Sequence, residues 1–380
     1  MKGEEKMKKT AAALLTMVMA GTLLAGCSSS QTQATQVQTQ TETSQAATQA
    51  IDAASQAPES EAVSEAAANA ANDPKVVLNY AEQNSETSLM GMTAQKFKEE
   101  VERLSGGSVE VQIYAGGVFG SEADVVDTMV SGGGTVDMCR IATQSLKDYA
   151  GIKLTNLLTV PYIFSDREHF WKTVDTDLGD QILNECHEAG LGIRGLYYAE
   201  EGFRNFFFTK EIKSIEDIKG LKIRSSSDST MVGTIEGLGA APATVSFNEL
   251  YSALSTGVVN GAEQPMVNYE SNAFYEVAPY MILDGHTFGS CMVIITDTAW
   301  EKLTPAQQTA VSEAGKLASQ YNAESSQNVE DECRAKLEAS GVTFIEVEDL
   351  TPWREACAQI INAVTEGMEE QVDQILALDQ

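Results

Sequence analysis

Two arginines, Arg204 and Arg224, lie close together in a chain of 380 residues whose formal net charge is -30. A guanidinium group can bind a carboxylate through two parallel hydrogen bonds, so both residues are candidates for recognising an organic acid. The segment 221–224 reads LKIR, and its alternation predicts a strand with Lys222 and Arg224 on one face. Arg224 ends this strand, where ligands of open α/β sheets bind. The alternative is an ordinary surface ion pair with one of the many acidic residues.

A third arginine, Arg140, interrupts the apolar segment 138–141. A buried arginine needs a partner, so Arg140 either pairs with an internal acid or faces the ligand as a third cation. No P-loop, nucleophile-elbow or HExxH motif is present. The GxGxxG pattern at 190–195 follows a predicted helix and precedes a strand, the reverse of the dinucleotide-binding order. These residues favour a binding protein over an enzyme and imply no metal or cofactor.

Strands and helices must alternate to position these side chains. Apolar runs predict strands at 76–80, 109–114, 136–141 and 191–198, and glycines end the predicted helices at 88–104, 121–130 and 180–188. This alternation is typical of an α/β fold with a mostly parallel, helix-covered sheet. Thr304, Pro305 and Gln307 predict the start of a long helix over 305–339. A strand at 342–347 and a last helix from Pro352 follow.

The N-terminal segment differs from the rest of the chain. Residues 1–27 combine early lysines with an apolar run that is too short to span a bilayer comfortably, and they end in Leu-Ala-Gly-Cys. This layout predicts a lipoprotein signal peptide with Cys27 as the lipid attachment site; a plain cleaved signal is the alternative. Residues 28–72 contain no aromatic residue, lysine or arginine, which predicts a disordered tether, or else an interaction segment.

The charge and the cysteines limit the class of protein further. A strongly acidic chain is a poor match for nucleic acid or for an anionic lipid surface, so membrane contact is expected through the lipid anchor only. Beyond Cys27 there are five cysteines, with no CxxC and no zinc-type spacing to histidine. Of the three histidines, His169 and His187 are predicted to face solvent. His286 is predicted to form a hinge hydrogen bond, with ligand contact as the alternative.

An ordered set of short motifs runs from Gly202 to Pro265. They are GFR at 202–204, DIKGLKIR at 217–224, GAAP at 239–242, FNELYSAL at 247–254 and GVVNGAEQP at 257–265. In this order and spacing they resemble the TRAP (tripartite ATP-independent periplasmic) transporter solute-binding proteins, and the resemblance covers roughly residues 75–380. Two departures are Asn260, where the family usually has aspartate, and Gln264, where it has asparagine.

The resemblance implies a two-lobe, periplasmic-binding-protein-like fold with a hinge. Lobe I would comprise 73–198, lobe II 199–287, and residues 288–380 would return to lobe I with the long helix bracing both lobes and a C-terminal helix. In the family, the arginine of LKxR binds the ligand carboxylate and a second arginine lies nearby. The implied ligand-binding residues are Arg224, Arg204, Phe247, Gln264, Ser227, Glu82 and, if it faces the cleft, Arg140.

The implied function is an extracytoplasmic, lipid-anchored receptor that captures a small organic acid and delivers it to membrane TRAP transporter subunits. A sugar acid (uronate or aldonate) is the first candidate ligand, and a C4-dicarboxylate is the second. A sensor module that passes its ligand signal to a membrane kinase is an alternative, and an anchored enzyme is a further one. Some relatives bind a cation near the site, although nothing in this sequence requires one.

Overall fold

The computed structural model describes residues 70–379, whose strands form one ten-stranded mixed sheet. Within this range, no helix combines the length and the hydropathy needed to cross a membrane. The predicted signal peptide, Cys27 and most of the predicted tether lie outside the described residues. The tether prediction overlaps them at 70–72 and is wrong there. Ala70 is buried, and its carbonyl accepts a hydrogen bond from the Asp73 amide at 2.9 Å.

The first lobe follows the predicted alternation. Its elements are β1 (Val76–Ala81), α1 (Leu89–Leu104), β2 (Val109–Tyr114), α2 (Glu122–Val130), β3 (Met138–Ala142), α3 (Arg167–Val174) and α4 (Asp177–Glu188). Strand β1 pairs in parallel with β2 and β3. The side chains of Ser88 and Ser121 cap α1 and α2, as expected for short hydroxyl residues that precede a helix.

Strand β4 (Ile193–Phe208) leaves the first lobe and opens the second. The second lobe then contains β5 (Lys222–Ser225), α5 (Ser229–Gly237), β6 (Ala241–Thr244), α6 (Leu250–Ser255), β7 (Gly261–Pro265), α7 (Met266–Ser271) and β8 (Tyr280–Leu283), and β9 (Thr287–Thr296) returns. Strand β5 lies parallel to both β6 and β7. Arg224 therefore lies on a strand, as the alternation in LKIR predicts, and the strand ends one residue later than predicted, at Ser225.

The centre of the sheet differs from the predicted parallel arrangement. Strand β9 pairs antiparallel with β3 and β4, and β4 pairs antiparallel with β7 and β8. The reason is topological, because β4 carries the chain out of the first lobe and β9 carries it back. The β4–β9 register shifts between Glu200 and Phe203, and Gly202 there has a φ of 80°. Glycine adopts this left-handed conformation readily, so the strand bends where the lobes meet.

After the short helix α8 (Asp297–Glu301), helix α9 spans Pro305–Ala339, the same residues that the sequence predicts. Thr304 and Gln307 form the expected capping box. Thirty-five residues give a helix about 52 Å long, enough to pass both lobes. Ala310 and Ala318 pack in a core cluster of the first lobe, whereas Cys333 and Leu337 pack in one of the second.

The chain after α9 does not simply return to the first lobe. Strand β10 (Thr343–Glu346) pairs with β8, and Trp353 of α10 (Thr351–Ala356) packs in a second-lobe core cluster. Helices α11 (Ala358–Thr365) and α12 (Glu369–Leu376) follow, and Ile375 packs in the first lobe. The predicted single C-terminal helix is wrong, since Gly367, with a φ of 76°, separates the last two helices.

Helix α9 also fixes the bend in β4. The Asn322 amide accepts from the Glu200 backbone N–H at 2.7 Å and donates to the Glu200 carbonyl at 3.2 Å. The Glu200 carboxylate is fully buried and pairs with Arg167, which also donates to Glu330 of α9 at 2.6 Å. These contacts hold one face of the bent strand against α9, so the next side chain, Glu201, faces the opposite side.

The cysteine and histidine side chains of the described residues are mostly buried. The five cysteines of the described part are free and buried. His169 is buried, contrary to prediction. The C-terminal segment packs over it, and its Nε2 lies 2.7 Å from the Ile375 carbonyl. His187 has a side chain that is 47% exposed, as predicted, and pairs with Asp297.

Candidate functional site

A cavity of about 630 Å³ lies between the two lobes. Its lining comes from β3, the turns after β1 and β3, and α2 in the first lobe, and from β4, β5, β7 and the segment 244–247 in the second. Direct contacts close the lobes around it. Gln83 donates to the Asn248 side chain at 2.7 Å, and Ser229 donates to Asp148 at 3.0 Å. These hydrogen bonds join the two lobes beside the cavity.

Arg224 lies in this cavity with its charge uncompensated. The residue is only 4% exposed, and its Nε donates to the Val245 carbonyl at 2.8 Å. Its other guanidinium nitrogens contact no acceptor in residues 70–379, and no carboxylate there lies within salt-bridge distance. Burial lowers the pKa of Arg224 from 12.5 to about 10. A buried guanidinium whose open edge faces a cavity is a binding site for a carboxylate.

Arg204 also lines the cavity, but its charge is compensated. Its Nε and Nη2 lie 2.5 and 2.9 Å from the two carboxylate oxygens of Glu263, and both residues are buried. Strands β4 and β7 place them side by side, because Arg204 stands opposite Pro265 in the antiparallel register. Desolvation opposes ionisation of Glu263, but Arg204 and His286 outweigh it and lower its pKa to about 2. Arg204 is therefore a weaker candidate for the main carboxylate contact than Arg224.

His286 extends this ion pair away from the cavity. Its Nε2 lies 3.6 Å from Glu263, and its Nδ1 lies 2.8 Å from the Asp284 carboxylate. The ring is fully buried and stacks on Phe206. Burial lowers its pKa, but the neighbouring carboxylates raise it by more, to about 9. The predicted hydrogen bond at the lobe crossing is present, and His286 does not line the cavity.

Arg140 both pairs with internal acids and lines the cavity, so the two alternatives for it are combined. Its guanidinium contacts Glu82 through Nη2 at 2.9 Å and Nε at 3.3 Å, and Glu122 through Nη1 at 3.2 Å. Glu201 lies 3.9 Å away. Glu82 itself lies behind Arg140, outside the cavity lining, so the structure does not bring this predicted ligand contact to the site.

The other predicted site residues lie where the sequence places them, although their contact with a ligand stays a prediction. Phe247, Ser227 and Gln264 all line the cavity. Phe247 packs edge-on against Phe274, with ring centroids 5.7 Å apart, and so presents a fixed apolar surface. Asn260, the other departure from the family pattern, lies outside the lining. Its side chain accepts from the Lys222 amide at 2.9 Å and shapes the turn before β7.

Sequence reasoning missed several polar residues of the lining. They are Asn84, Gln144, Tyr149, Glu201, Asp228 and Asn268. Glu201 immediately precedes the GFR motif, but strand alternation alone does not predict its direction, because the bend at Gly202 interrupts the strand. Asn84 and Asn268 come from segments that meet only in the folded protein. The complete site has a guanidinium in the second lobe and amides, hydroxyls and carboxylates around it.

Comparison with known proteins assigns the family. The model of the bacterial extracellular solute-binding protein family 7 matches residues 80–367. The chain belongs to this family. The match covers most of the described residues and includes both lobes. The predicted recognition as a TRAP-type solute-binding protein is thereby confirmed, and so is the two-lobe α/β fold.

Similar proteins support the same assignment. A TRAP periplasmic solute-binding protein from Pseudomonas putida F1, solved with bound D-glucuronate, is 27% identical, and the match covers 79% of this chain and 96% of that one with a TM-score of 0.76. A Roseobacter denitrificans protein solved with bound L-galactonate is 28% identical, with 80% and 99% covered and a TM-score of 0.74. The Escherichia coli 2,3-diketo-L-gulonate-binding periplasmic protein YiaO is 28% identical over 312 residues, which are 80% of this chain and 91% of YiaO.

The two solved relatives are TRAP periplasmic solute-binding proteins and YiaO is a periplasmic binding protein, which agrees with the prediction of an extracytoplasmic binding protein rather than an enzyme. In the described residues, no cluster of histidine, cysteine and acidic side chains has the arrangement of a metal site.

Proposed function

We propose that this protein captures a small organic acid in the cavity between its lobes, with Arg224 binding the carboxylate, and delivers it to the membrane subunits of a TRAP transporter. The observation that carries the proposal is the uncompensated charge of Arg224. Arg140 and Arg204, the other buried arginines of the described residues, each have a carboxylate partner. A carboxylate ligand would supply the missing partner and offset the desolvation of the guanidinium.

A sugar acid is the first candidate for the ligand, and a C4-dicarboxylate is the second. The lining offers hydroxyl and amide groups at Ser227, Gln264 and Asn268, which suit a ligand with several hydroxyls. D-glucuronate and L-galactonate, bound by the two structural relatives, each combine a carboxylate with hydroxyls. Phe247 would pack against the carbon skeleton of the ligand.

A thermal-shift screen with matched variants tests the proposal. The purified full chain is heated with uronates, aldonates and C4-dicarboxylates at about 1 mM. A ligand with micromolar affinity should stabilise the protein by about 4 kcal/mol and raise Tm by about 8–16 °C. Arg224→Gln should weaken binding by about 100- to 1000-fold, because leaving a buried charge without its partner costs about 3–5 kcal/mol. Arg334→Gln, at a partly exposed residue outside the cavity lining, should leave affinity unchanged.

Two results would contradict the proposal. If no carboxylate shifts Tm, the cavity does not bind organic acids. If Arg224→Gln weakens the best ligand by less than fivefold, the carboxylate binds elsewhere, and Arg204 becomes the next candidate. A fall of the same size for Arg204→Gln and Arg224→Gln would mean that the two arginines share the carboxylate.

Lipid anchoring through Cys27 is a further part of the proposal, supported by the sequence Leu-Ala-Gly-Cys at the end of the predicted signal peptide. An anchor would keep the receptor at the membrane that holds the transporter. Metabolic labelling with an alkyne fatty acid should mark the wild-type chain, and Cys27→Ser should abolish the label. Equal labelling of both chains would contradict the assignment.

A further inference from the structure

The carboxylates in and behind the wall of the cavity exceed the guanidinium groups that face them. Arg140 is shared among Glu82, Glu122 and Glu201, at distances of 2.9, 3.2 and 3.9 Å. Arg204 is occupied by Glu263. Apart from Arg224, this part of the site therefore has more negative than positive charge. Arg224, on β5, supplies the uncompensated positive charge of the site.

Glu201 is the carboxylate of this group with free hydrogen-bonding capacity. Its Oε1 receives one long contact, from the Asn84 amide at 3.4 Å, and its Oε2 accepts no hydrogen bond from a described residue. By contrast, Glu122 accepts from Arg140 and the Ala142 amide at 3.2 Å each, and also from Ser145. Glu201 is 3% exposed and lines the cavity, so the group that completes its hydrogen bonds must come from within the cavity.

Asn84 gives a second, independent indication. It lines the cavity, is 2% exposed, and its Oδ1 has no hydrogen-bond partner among residues 70–379. Its backbone N–H donates to Glu82 at 2.8 Å, so the residue is held in place. Buried acceptors without partners are rare in folded proteins, so Asn84 Oδ1, on the same cavity wall as the open acceptor Glu201, points to a missing donor.

We infer that Glu201 and Asn84 form an acceptor subsite that binds hydroxyl groups of the ligand and excludes a second carboxylate. The inference rests on the proposed function, because it assumes that Arg224 binds one carboxylate. Glu201 is then the residue that selects hydroxylated monocarboxylates over dicarboxylates. A second carboxylate here would meet Glu201, whose charge is only partly compensated because it shares Arg140 with Glu82 and Glu122, and like charges repel strongly in a buried site. A hydroxyl would instead donate a charge-assisted hydrogen bond.

The test uses pairs of ligands in which one member has a hydroxyl or aldehyde carbon where the other has a second carboxylate. D-glucuronate is compared with D-glucarate, D-galacturonate with galactarate, and 4-hydroxybutyrate with succinate, by isothermal titration of the full chain. For every pair that binds, the monocarboxylate should bind at least about 100-fold more tightly. A dicarboxylate that binds as tightly as its partner would overturn the inference but not the proposed function, since Arg224→Gln would still abolish binding. Absence of binding by any acid would overturn both.

Variants of Glu201 identify the residue responsible. Glu201→Gln keeps the size and one acceptor but removes the charge, so it should weaken the monocarboxylate about tenfold and reduce the discrimination against the dicarboxylate at least tenfold. Glu185→Gln is the control, because it removes the charge of a buried carboxylate outside the cavity lining whose oxygens already accept hydrogen bonds from the backbone amides of residues 153–155. It should leave monocarboxylate affinity within about threefold. If Glu201→Gln changes the affinity for neither the monocarboxylate nor the dicarboxylate, the subsite is wrongly assigned. If the variant does not fold, the ligand pairs measured on the wild-type protein still test the inference.

Discussion

Replacing Arg224 and Arg204 should change the stability of the ligand-free protein in opposite directions, although both are buried arginines of the same cavity. Arg224→Met removes a guanidinium that has only the Val245 carbonyl as a partner. Arg204→Met leaves the fully buried Glu263 without the guanidinium that contacts both of its oxygens. The first variant removes a group that the ligand-free fold does not need. The second breaks a buried ion pair.

The size of each effect follows from burial and pKa. The lowering of the Arg224 pKa from 12.5 to about 10 corresponds to roughly 3 kcal/mol of desolvation that disfavours the charged form. Arg224→Met removes this desolvation cost but also removes a hydrogen bond that contributes about 1 kcal/mol. The ligand-free variant should therefore be up to about 2 kcal/mol more stable than the ligand-free wild type. Arg204→Met should lose about 3–5 kcal/mol, as expected when one partner of a buried ion pair is removed.

Urea denaturation at pH 7, followed by tryptophan fluorescence, measures both effects. The proteins are first unfolded and refolded, so that no ligand from the expression host remains bound. Equal slopes of the free energy against urea concentration would show that the variants differ in stability alone. If Arg224→Met destabilises the ligand-free protein by more than about 2 kcal/mol, Arg224 is a structural partner of the fold and the reasoning fails. A neutral Arg204→Met would refute the ranking of the two arginines.

Two further predictions concern buried charges behind the cavity. The pKa of His286, raised from 6.5 to about 9, contributes roughly 3 kcal/mol that is fully present below pH 6.5 and is lost as the pH rises through 9. Urea midpoints at pH 6 and pH 9.5 should show this loss in wild type and a smaller loss in His286→Gln; identical losses would contradict it. Arg167→Ala should destabilise the protein by about 3–5 kcal/mol, because Glu200 stays buried without its partner. Arg334→Ala, which removes a partly exposed arginine, should cost less than about 1 kcal/mol, and equal costs would show that Glu200 does not need Arg167.

The sequence was sufficient where a structural element depends on neighbouring residues. Helix α9 begins and ends as predicted, because the capping box of Thr304 and Gln307 is local. The strand that carries Arg224 follows from the alternation in LKIR. Predictions that depend on pairing between distant segments were less successful. The parallel arrangement was not predicted correctly for the centre of the sheet, where β4 and β9 pair antiparallel, and the single C-terminal helix was wrong, because these strands and the residues after α9 cross between lobes.

The two arginines illustrate the same limit at the site. The sequence made both Arg204 and Arg224 candidates, and the predicted strand end together with the resemblance favoured Arg224. The structure separates them through Glu263, which β7 places beside β4 although it stands 59 positions from Arg204 in the chain. Arg140 and Glu82 meet in the same way across 58 positions. Such pairs are formed by strand order and register, which residue types and spacing do not specify.

The acidic character of the chain makes the remaining unpaired arginine more informative. With 55 acidic residues against 25 basic ones, a carboxylate partner is available for nearly any buried guanidinium. Arg140 pairs with Glu82 and Arg204 pairs with Glu263, but among the described acceptors Arg224 contacts only the Val245 carbonyl, and it faces the cavity. Keeping that charge unpaired destabilises the empty protein. If Arg224 binds the ligand as proposed, a carboxylate removes this cost, a ligand without a carboxylate leaves Arg224 buried and unpaired, and a dicarboxylate places its second carboxylate beside Glu201.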